Sequence, residues 1–370
     1  VDRGPDETKR RRARVSGEYH HGGDRHDMHR LWALREDIEV VALAEPHEQA
    51  RGFYAQEAGA QRTYADYREM LATEKPDLVA IGPRWTVNHK EYLWACAEAG
   101  AHGILEKPLT PALEEADEAI AALEAKGLKW TMAFNFRASP IVRHAKKLVD
   151  EGLIGRLLEM RARGKEDARS GGEDLIVLGV HEFDLMRYFA GDPAWCEAEV
   201  LVDGRPAGPG DVREATEPLG PVVGDTVHAR YGFADGVRGY FSSVKGAEGG
   251  GVRWGVTLYG TRGALSIRMG PVPEVRCIQS ESWTEAGEGH EWQPLPGAPK
   301  IVLPEGPVGH YSFNVDDLIE AIEDDREPFT SVQSGRAAHE FIQAVWETQV
   351  SGGRVAMPVN DRTHPLERWS

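Results

Sequence analysis

Apolar positions follow two different rhythms along this chain. In the first third, unbroken apolar runs alternate with stretches whose apolar residues recur every three or four positions. The runs IEVVALAE (38–45), PDLVAIGP (76–83), GILE (103–106) and LKWTMAFN (128–135) predict strands, and a more polar run, ARVSGEYH (13–20), predicts a first one. Between them, DRHDMHRLWALRE, PHEQARGFYAQEAG (46–59), DYREMLATE (66–74), the segment 88–100 and the stretch from Pro111 through Leu113, Ala116, Ile120 and Leu123 predict helices. Strands that are apolar on both faces, each followed by a helix, build a parallel sheet covered on both sides. A doubly wound sheet of this kind takes its ligands at the carboxyl ends of the strands.

After about residue 135 the rhythm changes. A helix over 139–152, a long strand over 154–164 (IGRLLEMRARG) and a helix over about 173–189 lead into EAEVLVD, DTVHARYGF, GVRGYFSSV, RWGVTLYG and GALSIRM. Short turns such as FADGVRG and GTRGA join several of these strands, which predicts antiparallel pairing. Helices over 314–324 and 334–349 close the chain, and 203–224 and 279–309 read as loops. The expected architecture is a Rossmann-type doubly wound α/β domain over 1–134, with 1–12 as a tail. An α+β domain with a large, mostly antiparallel open sheet follows over 135–370.

Composition narrows the function. A net charge of −17 argues against nucleic acid or an anionic membrane surface as partner, since both are polyanions. The three cysteines, Cys96, Cys196 and Cys277, show neither metal spacing nor a disulfide framework, which fits a reducing compartment. No apolar run approaches the length needed to span a bilayer, and VDRGPDETKRRRAR contains no secretion segment, so a cytoplasmic protein is expected.

Two segments carry candidate chemistry. Glu106, Lys107 and Pro108 follow a buried strand directly, at the ligand-binding edge of the sheet. A partly desolvated lysine there can move a proton; a surface strand-end lysine is the plain alternative. In GGEDLIVLGVHEFDLMRYFAGDP (171–193), one helix would place Asp174, Leu178, His181 and Asp184 on one face. His181 is then either a general base between carboxylates or a buried histidine hydrogen-bonded to Asp184.

Strand-EKP-helix followed by a Gly-Gly segment with GxHxxD (Gly179, His181, Asp184) resembles the glucose–fructose oxidoreductase/inositol dehydrogenase (Gfo/Idh/MocA) family. The resemblance extends through DIEVVALAEP, KPDLVAIGP, FNFRASPIVRHAKKLVDEGLIGRL and the C-terminal DREPFTSVQSGRAAHEFIQAVWETQVSGGRVAMPV, so it covers most of residues 30–360. It implies a nicotinamide dinucleotide in the first domain, a sugar or polyol substrate against the second, and a homo-oligomer, dimer or tetramer. Lys107 and His181 take the family's proton-handling roles. Hydride passes between substrate carbon and nicotinamide while His181 takes the hydroxyl proton and Lys107 polarises the oxygen. Two other outcomes remain open: a redox-neutral enzyme that retains its NAD and cleaves or epimerises a glycoside, and a non-catalytic sugar-binding protein.

The sequence departs from that family in two places. The Asp usual four residues before the histidine is Val177 here, and Asp174 is the expected substitute. The phosphate loop SGEYHHGGDRHDMH (16–29) keeps Gly22 and Gly23, but histidines stand at His21 and His26 where small residues are usual. Its four histidines raise a metal reading, which the loop position and the lack of a Cys/His signature disfavour. Glu45 ends the second strand about 20 residues beyond Gly23, where an acid accepts from an adenosine ribose and repels a 2′-phosphate. NAD(H) is therefore expected over NADP(H). Pro83, Arg84 and Trp85, together with Glu106 and Lys107, are expected to line the cofactor, with Trp85 stacking on a ring. Arg163, Lys165 and Arg169 either meet a substrate carboxylate or hydroxyls or belong to a solvated loop.

Overall fold

A computed structural model of the chain describes residues 26–247, 251–285 and 290–369 in full and 11–16 by their backbone. The first domain is a six-stranded parallel sheet. Its elements are β1 (Arg11–Ser16), β2 (Ile38–Ala44), α1 (Glu48–Ala58), β3 (Arg62–Tyr64), α2 (Tyr67–Glu74), β4 (Leu78–Ile81), α3 (His89–Ala99), β5 (His102–Leu105), α4 (Leu113–Glu124) and β6 (Trp130–Met132). The spatial order β3-β2-β1-β4-β5-β6 reverses between β1 and β4, and that switch point opens the ligand crevice. β4 is buried along its whole length, as the unbroken apolar run requires.

Two expectations change here. β1 begins at Arg11, inside the stretch expected to be a tail. The helix expected from DRHDMHRLWALRE is a 3₁₀ helix over Met28–Leu34, entered through Asp27 at φ 49° with no side-chain cap. Met28 and Leu31 sit at the three-residue spacing of that geometry and are fully buried.

The second domain begins with α5 (Asn135–Ala138), α6 (Pro140–Asp150), β7 (Leu157–Arg163), α7 (Gly172–Val177) and α8 (Gly179–Ala190). The strands β8 (Trp195–Val202), β9 (Arg205–Pro206), β10 (Arg213–Glu214), β11 (Pro221–Val222), β12 (Thr226–Gly232), β13 (Arg238–Val244), β14 (Gly255–Gly260), β15 (Ala264–Arg268), β16 (Glu274–Ile278) and β17 (Gln293–Pro294) follow. Then come α9 (Ser312–Glu323), α10 (Val332–Ser351) and β18 (Val355–Ala356). The large sheet is ten-stranded, in the order β17-β16-β15-β14-β7-β13-β12-β8-β18 with β9 on β8. Its pairs are antiparallel except β13 with β7. Val227, Ala229 and Tyr231 alternate inward along β12. The turn to β13 places both Asp235 and Gly236 at positive φ, the conformation a tight hairpin needs.

The helix expected over 173–189 is two helices. The chain breaks at Leu178 (φ −119°, ψ −39°), and α8 starts against the ring of Phe241, to which even a Cβ on Gly179 would come within 3.1 Å. Helix α9, which the sequence places in the second domain, packs on the parallel sheet. Its Val315, Leu318 and Ile319 share a core with Met28, Trp32, Leu78, Ala80 and Ile104. Helix α10 fills the junction with Phe341, Ile342, Val345 and Trp346, so both sheets rest on one continuous core.

Candidate active site

The carboxyl edge of the parallel sheet is built first. β5 delivers Glu106 and Lys107 into the interior, with the Lys107–Pro108 peptide cis. The Glu106 Oε1 accepts from Tyr311 Oη at 2.6 Å and meets His26 Nδ1 at 2.7 Å, while Oε2 accepts the Lys107 amide at 3.1 Å. Burial alone would raise this carboxyl, but His26, Lys107 and Tyr311 together hold it well below the usual range. Lys107 donates from Nζ to the Val177 carbonyl at 2.8 Å. Burial pushes its ammonium down to about 8, against the pull of Glu106. The charges of Arg84, Glu217 and Arg169 also act on it.

His181 reaches the same place from α8. It is 5% exposed and set edge-on among Phe136, Phe134 and Trp254, with ring centroids 4.8, 5.7 and 6.2 Å away. Its Nδ1 has no hydrogen-bond partner among the described residues. Burial, and then the Lys107 charge, hold it well below 6.5, so it is a neutral base at physiological pH.

The carboxylates expected beside His181 are elsewhere. Asp174 lies beyond the Leu178 break. Its Oδ2 accepts from Ser243 Oγ at 2.6 Å and from the Glu166 amide at 3.0 Å, so it ties α7 to the sheet rather than orienting His181. Asp184 points to Arg137, with Nε 2.8 Å from Oδ2 in a buried pair. Burial raises its carboxyl to about 6 despite that arginine. Both the general-base face and the His181–Asp184 hydrogen bond are therefore corrected: the break rotates Asp174 away, and Arg137 occupies Asp184. The Lys107 ammonium instead anchors on the backbone of Val177, at the position of the missing Asp.

The loop after β4 is pinned to the loop after β5. His89 is fully buried, with Nε2 2.7 Å from the Pro83 carbonyl and Nδ1 2.9 Å from those of Pro108 and Leu109. Arg84 leaves that loop to pair with Glu217 at 2.9 Å, and Trp85 is half-buried beside it. Arg169 reaches Glu217 at 3.3 Å and Asp167 at 2.7 Å, and Lys165 lies 3.5 Å from Asp167 and 5.9 Å from the Trp254 ring. Arg163 pairs with Glu166 at 2.7 Å, and that carboxylate also binds Arg253.

Glu45 is fully buried at the end of β2, and its Oε1 accepts the His47 amide at 2.8 Å. Gly22 and Gly23 lie outside the described residues. The described part of the crevice fits a dinucleotide. The switch point and a buried carboxylate at the end of β2, where a ribose hydroxyl would donate, are the features that fit such a group. Glu217, Tyr311, Trp254 and the phenylalanines were not singled out from sequence. Phe134 and Phe136 follow β6 at the same sheet edge, which is a readable signal; Tyr311 and Glu217 lie in stretches with no pattern.

Family models place the chain. The model described as an oxidoreductase family with an NAD-binding Rossmann fold matches residues 17–134, and the Gfo/Idh/MocA C-terminal domain matches 142–266. The chain belongs to the Gfo/Idh/MocA oxidoreductase family. Among its curated family relatives, levoglucosan dehydrogenase of Pseudarthrobacter phenanthrenivorans is 30% identical over 61% of this chain and 63% of its own length. Myo-inositol 2-dehydrogenase of Thermotoga maritima is 26% identical over 49% and 57%. D-apiose dehydrogenase of Paraburkholderia graminis is 30% identical over 45% and 47%. The chain thus spans from about half to just under two thirds of the length of these relatives. The solved structure of levoglucosan dehydrogenase with NADH and levoglucosan superposes at a TM-score of 0.75 and 22% identity, covering 94% of this chain and 100% of that one. No helix among the described residues is long and apolar enough to cross a membrane.

Proposed function

We propose that the protein oxidises a hydroxyl of a sugar or polyol, or reduces the matching carbonyl, with NAD(H). The observation that carries this reading is the convergence of a buried lysine and a buried neutral histidine from two domains inside an aromatic wall. His181, held neutral, takes the hydroxyl proton. Lys107, anchored on Val177, holds the substrate oxygen with its remaining ammonium protons. Phe134, Phe136 and Trp254 exclude water from that proton transfer. A bound nicotinamide would supply the hydride acceptor, and Glu45, Pro83, Trp85, Glu106, Gly22 and Gly23 are the residues we assign to holding it. A buried acid at the end of β2 supports NAD(H) over NADP(H), since a 2′-phosphate there would meet a carboxylate. The relatives' names, all sugar or polyol dehydrogenases, support the substrate class. The reading carries with it a cytoplasmic homo-oligomer, dimer or tetramer, which sedimentation tests.

The deciding experiment titrates cofactor-stripped protein with NADH and NADPH, then screens sugars and polyols by nicotinamide absorbance. Micromolar NADH binding, weaker NADPH binding and turnover of a polyhydroxy compound are expected. Failure to bind either dinucleotide overturns the reading.

A further inference from the structure

A pyrophosphate in a doubly wound domain lies between the loop after the first strand and the helix that follows, where aligned peptide dipoles and free amides meet it. The helix here is a 3₁₀ helix of seven residues, entered through Asp27 at positive φ without a side-chain cap. Its hydrogen-bond geometry is poorer than that of an α-helix, and it sums few dipoles. A side chain stands at the same place. His26 leads into this helix, and its Nδ1 lies 2.7 Å from Glu106 Oε1 and 3.2 Å from Tyr311 Oη. Glu106 is ionised and Tyr311 gives it its proton, so both oxygens accept and Nδ1 is the donor. Those two partners are buried, whereas the His26 side chain is 30% exposed. The Nε2 edge of the ring therefore faces away from them, and among the described residues Nε2 has no hydrogen-bond partner. Glu106 does not need this histidine to be satisfied, because Tyr311 donates to Oε1 and the Lys107 amide to Oε2. Nearby, the Lys107 ammonium is turned to Val177, and burial holds His310, whose ring lies 4.0 Å from that of Tyr311, below 6.5.

We infer that His26 is a ligand of the dinucleotide pyrophosphate, its Nε2–H donating to a phosphate oxygen while Glu106 and Tyr311 hold the ring by Nδ1. A placed imidazolium then supplies charge that an α-helix N-terminus supplies elsewhere, and the carboxylate behind it fixes which way the ring faces. The inference rests on the proposed NAD(H) reading and adds which side chain grips the cofactor, and by which of its groups.

The test measures Kd for NADH by nicotinamide fluorescence, and for ADP-ribose, which keeps the pyrophosphate and lacks the nicotinamide, by displacement of NADH. His26→Gln keeps a donor for Glu106 and removes the charge. It is expected to weaken both ligands by similar factors, about tenfold or more. His26→Lys restores part of that loss, and added salt narrows the gap between wild type and His26→Gln. Circular dichroism reports that the variants are folded. A second measurement needs no variant: in the wild-type protein diethyl pyrocarbonate should modify His26, read by peptide mass spectrometry, and NADH or ADP-ribose should protect it. Unchanged affinity of His26→Gln for both ligands overturns the inference, as does a His26 that is unreactive in the free protein or unprotected by ADP-ribose. Weakening of NADH alone places His26 at the nicotinamide and overturns the phosphate contact. A loss in His26→Lys as large as in His26→Gln overturns the role of charge. Each of these outcomes leaves NADH binding by the wild type, and with it the dehydrogenase reading, intact. If the wild type binds neither ligand, the two fall together.

Discussion

The ammonium of Lys107 lies 2.8 Å from the carbonyl oxygen of Val177, so the lysine of one domain is anchored on the break that precedes the histidine of the other. One donor is spent on the backbone and the others remain for a substrate oxygen. With its pKa pushed down to about 8, the group is charged at neutral pH and loses its proton just above it. Oxygen-holding by the charged form predicts that kcat/KM falls as pH rises through about 8. That alkaline limb disappears in Lys107→Met, whose residual rate is roughly 100- to 10,000-fold lower. A pH–rate profile of both proteins checks it.

His181→Asn removes the base and leaves most of the volume. Turnover is expected to drop by roughly 100- to 10,000-fold with NADH affinity changed little. Because burial and Lys107 both depress the histidine, the wild-type acid limb lies below 6.5. Single-turnover measurements across that range separate loss of the base from loss of binding.

Asp184→Asn tests a structural role against a catalytic one. The carboxylate neutralises buried Arg137, so its loss leaves that guanidinium without a counter-charge and is expected to cost about 3 kcal/mol. Turnover per folded molecule should change little, because Asp184 Oδ2 is hydrogen-bonded to Arg137 and His181 Nδ1 has no hydrogen-bond partner among the described residues. Urea unfolding beside kcat on the same samples distinguishes the two.

Tyr311→Phe removes the 2.6 Å hydrogen bond to Glu106. The Glu106 carboxyl is held below its ordinary 4.5, so its contribution to stability is present above that value and is lost as pH falls toward the folded-state value. Deleting one of the groups that holds it down costs about 1–3 kcal/mol at neutral pH and moves acid unfolding to a higher pH. Circular dichroism during acid titration reads the midpoint.

How much of this was legible in the sequence depends on the range of the interaction. β4 and β5 were readable because burial on both faces leaves an unbroken apolar run, and Lys107 because a strand end in a parallel sheet faces the ligand. His181 was readable from GVHEFD, but its neighbours were not. The helical spacing that joins Asp174 to His181 and Asp184 is correct only for a continuous helix, and the chain breaks at Leu178 between them. Arg137, which claims Asp184, lies in a different helix, and Tyr311, which claims Glu106, is 205 residues away in sequence. No local pattern encodes such partnerships. The phosphate loop raises its question in the sequence, and in the structure its described end places His26 on Glu106 and His29 on Glu57.

Helix α9 carries a consequence for biosynthesis. The face it covers includes Met28, Trp32, Leu78, Ala80 and Ile104, all from the opening third of the chain. On the ribosome those side chains wait for residues 312–323 to emerge, well after the parallel sheet has been translated. A fragment ending at residue 134 would keep every parallel strand and still present an uncovered apolar flank. It should be recovered as aggregate, and supplying α9 in trans should restore a monodisperse species.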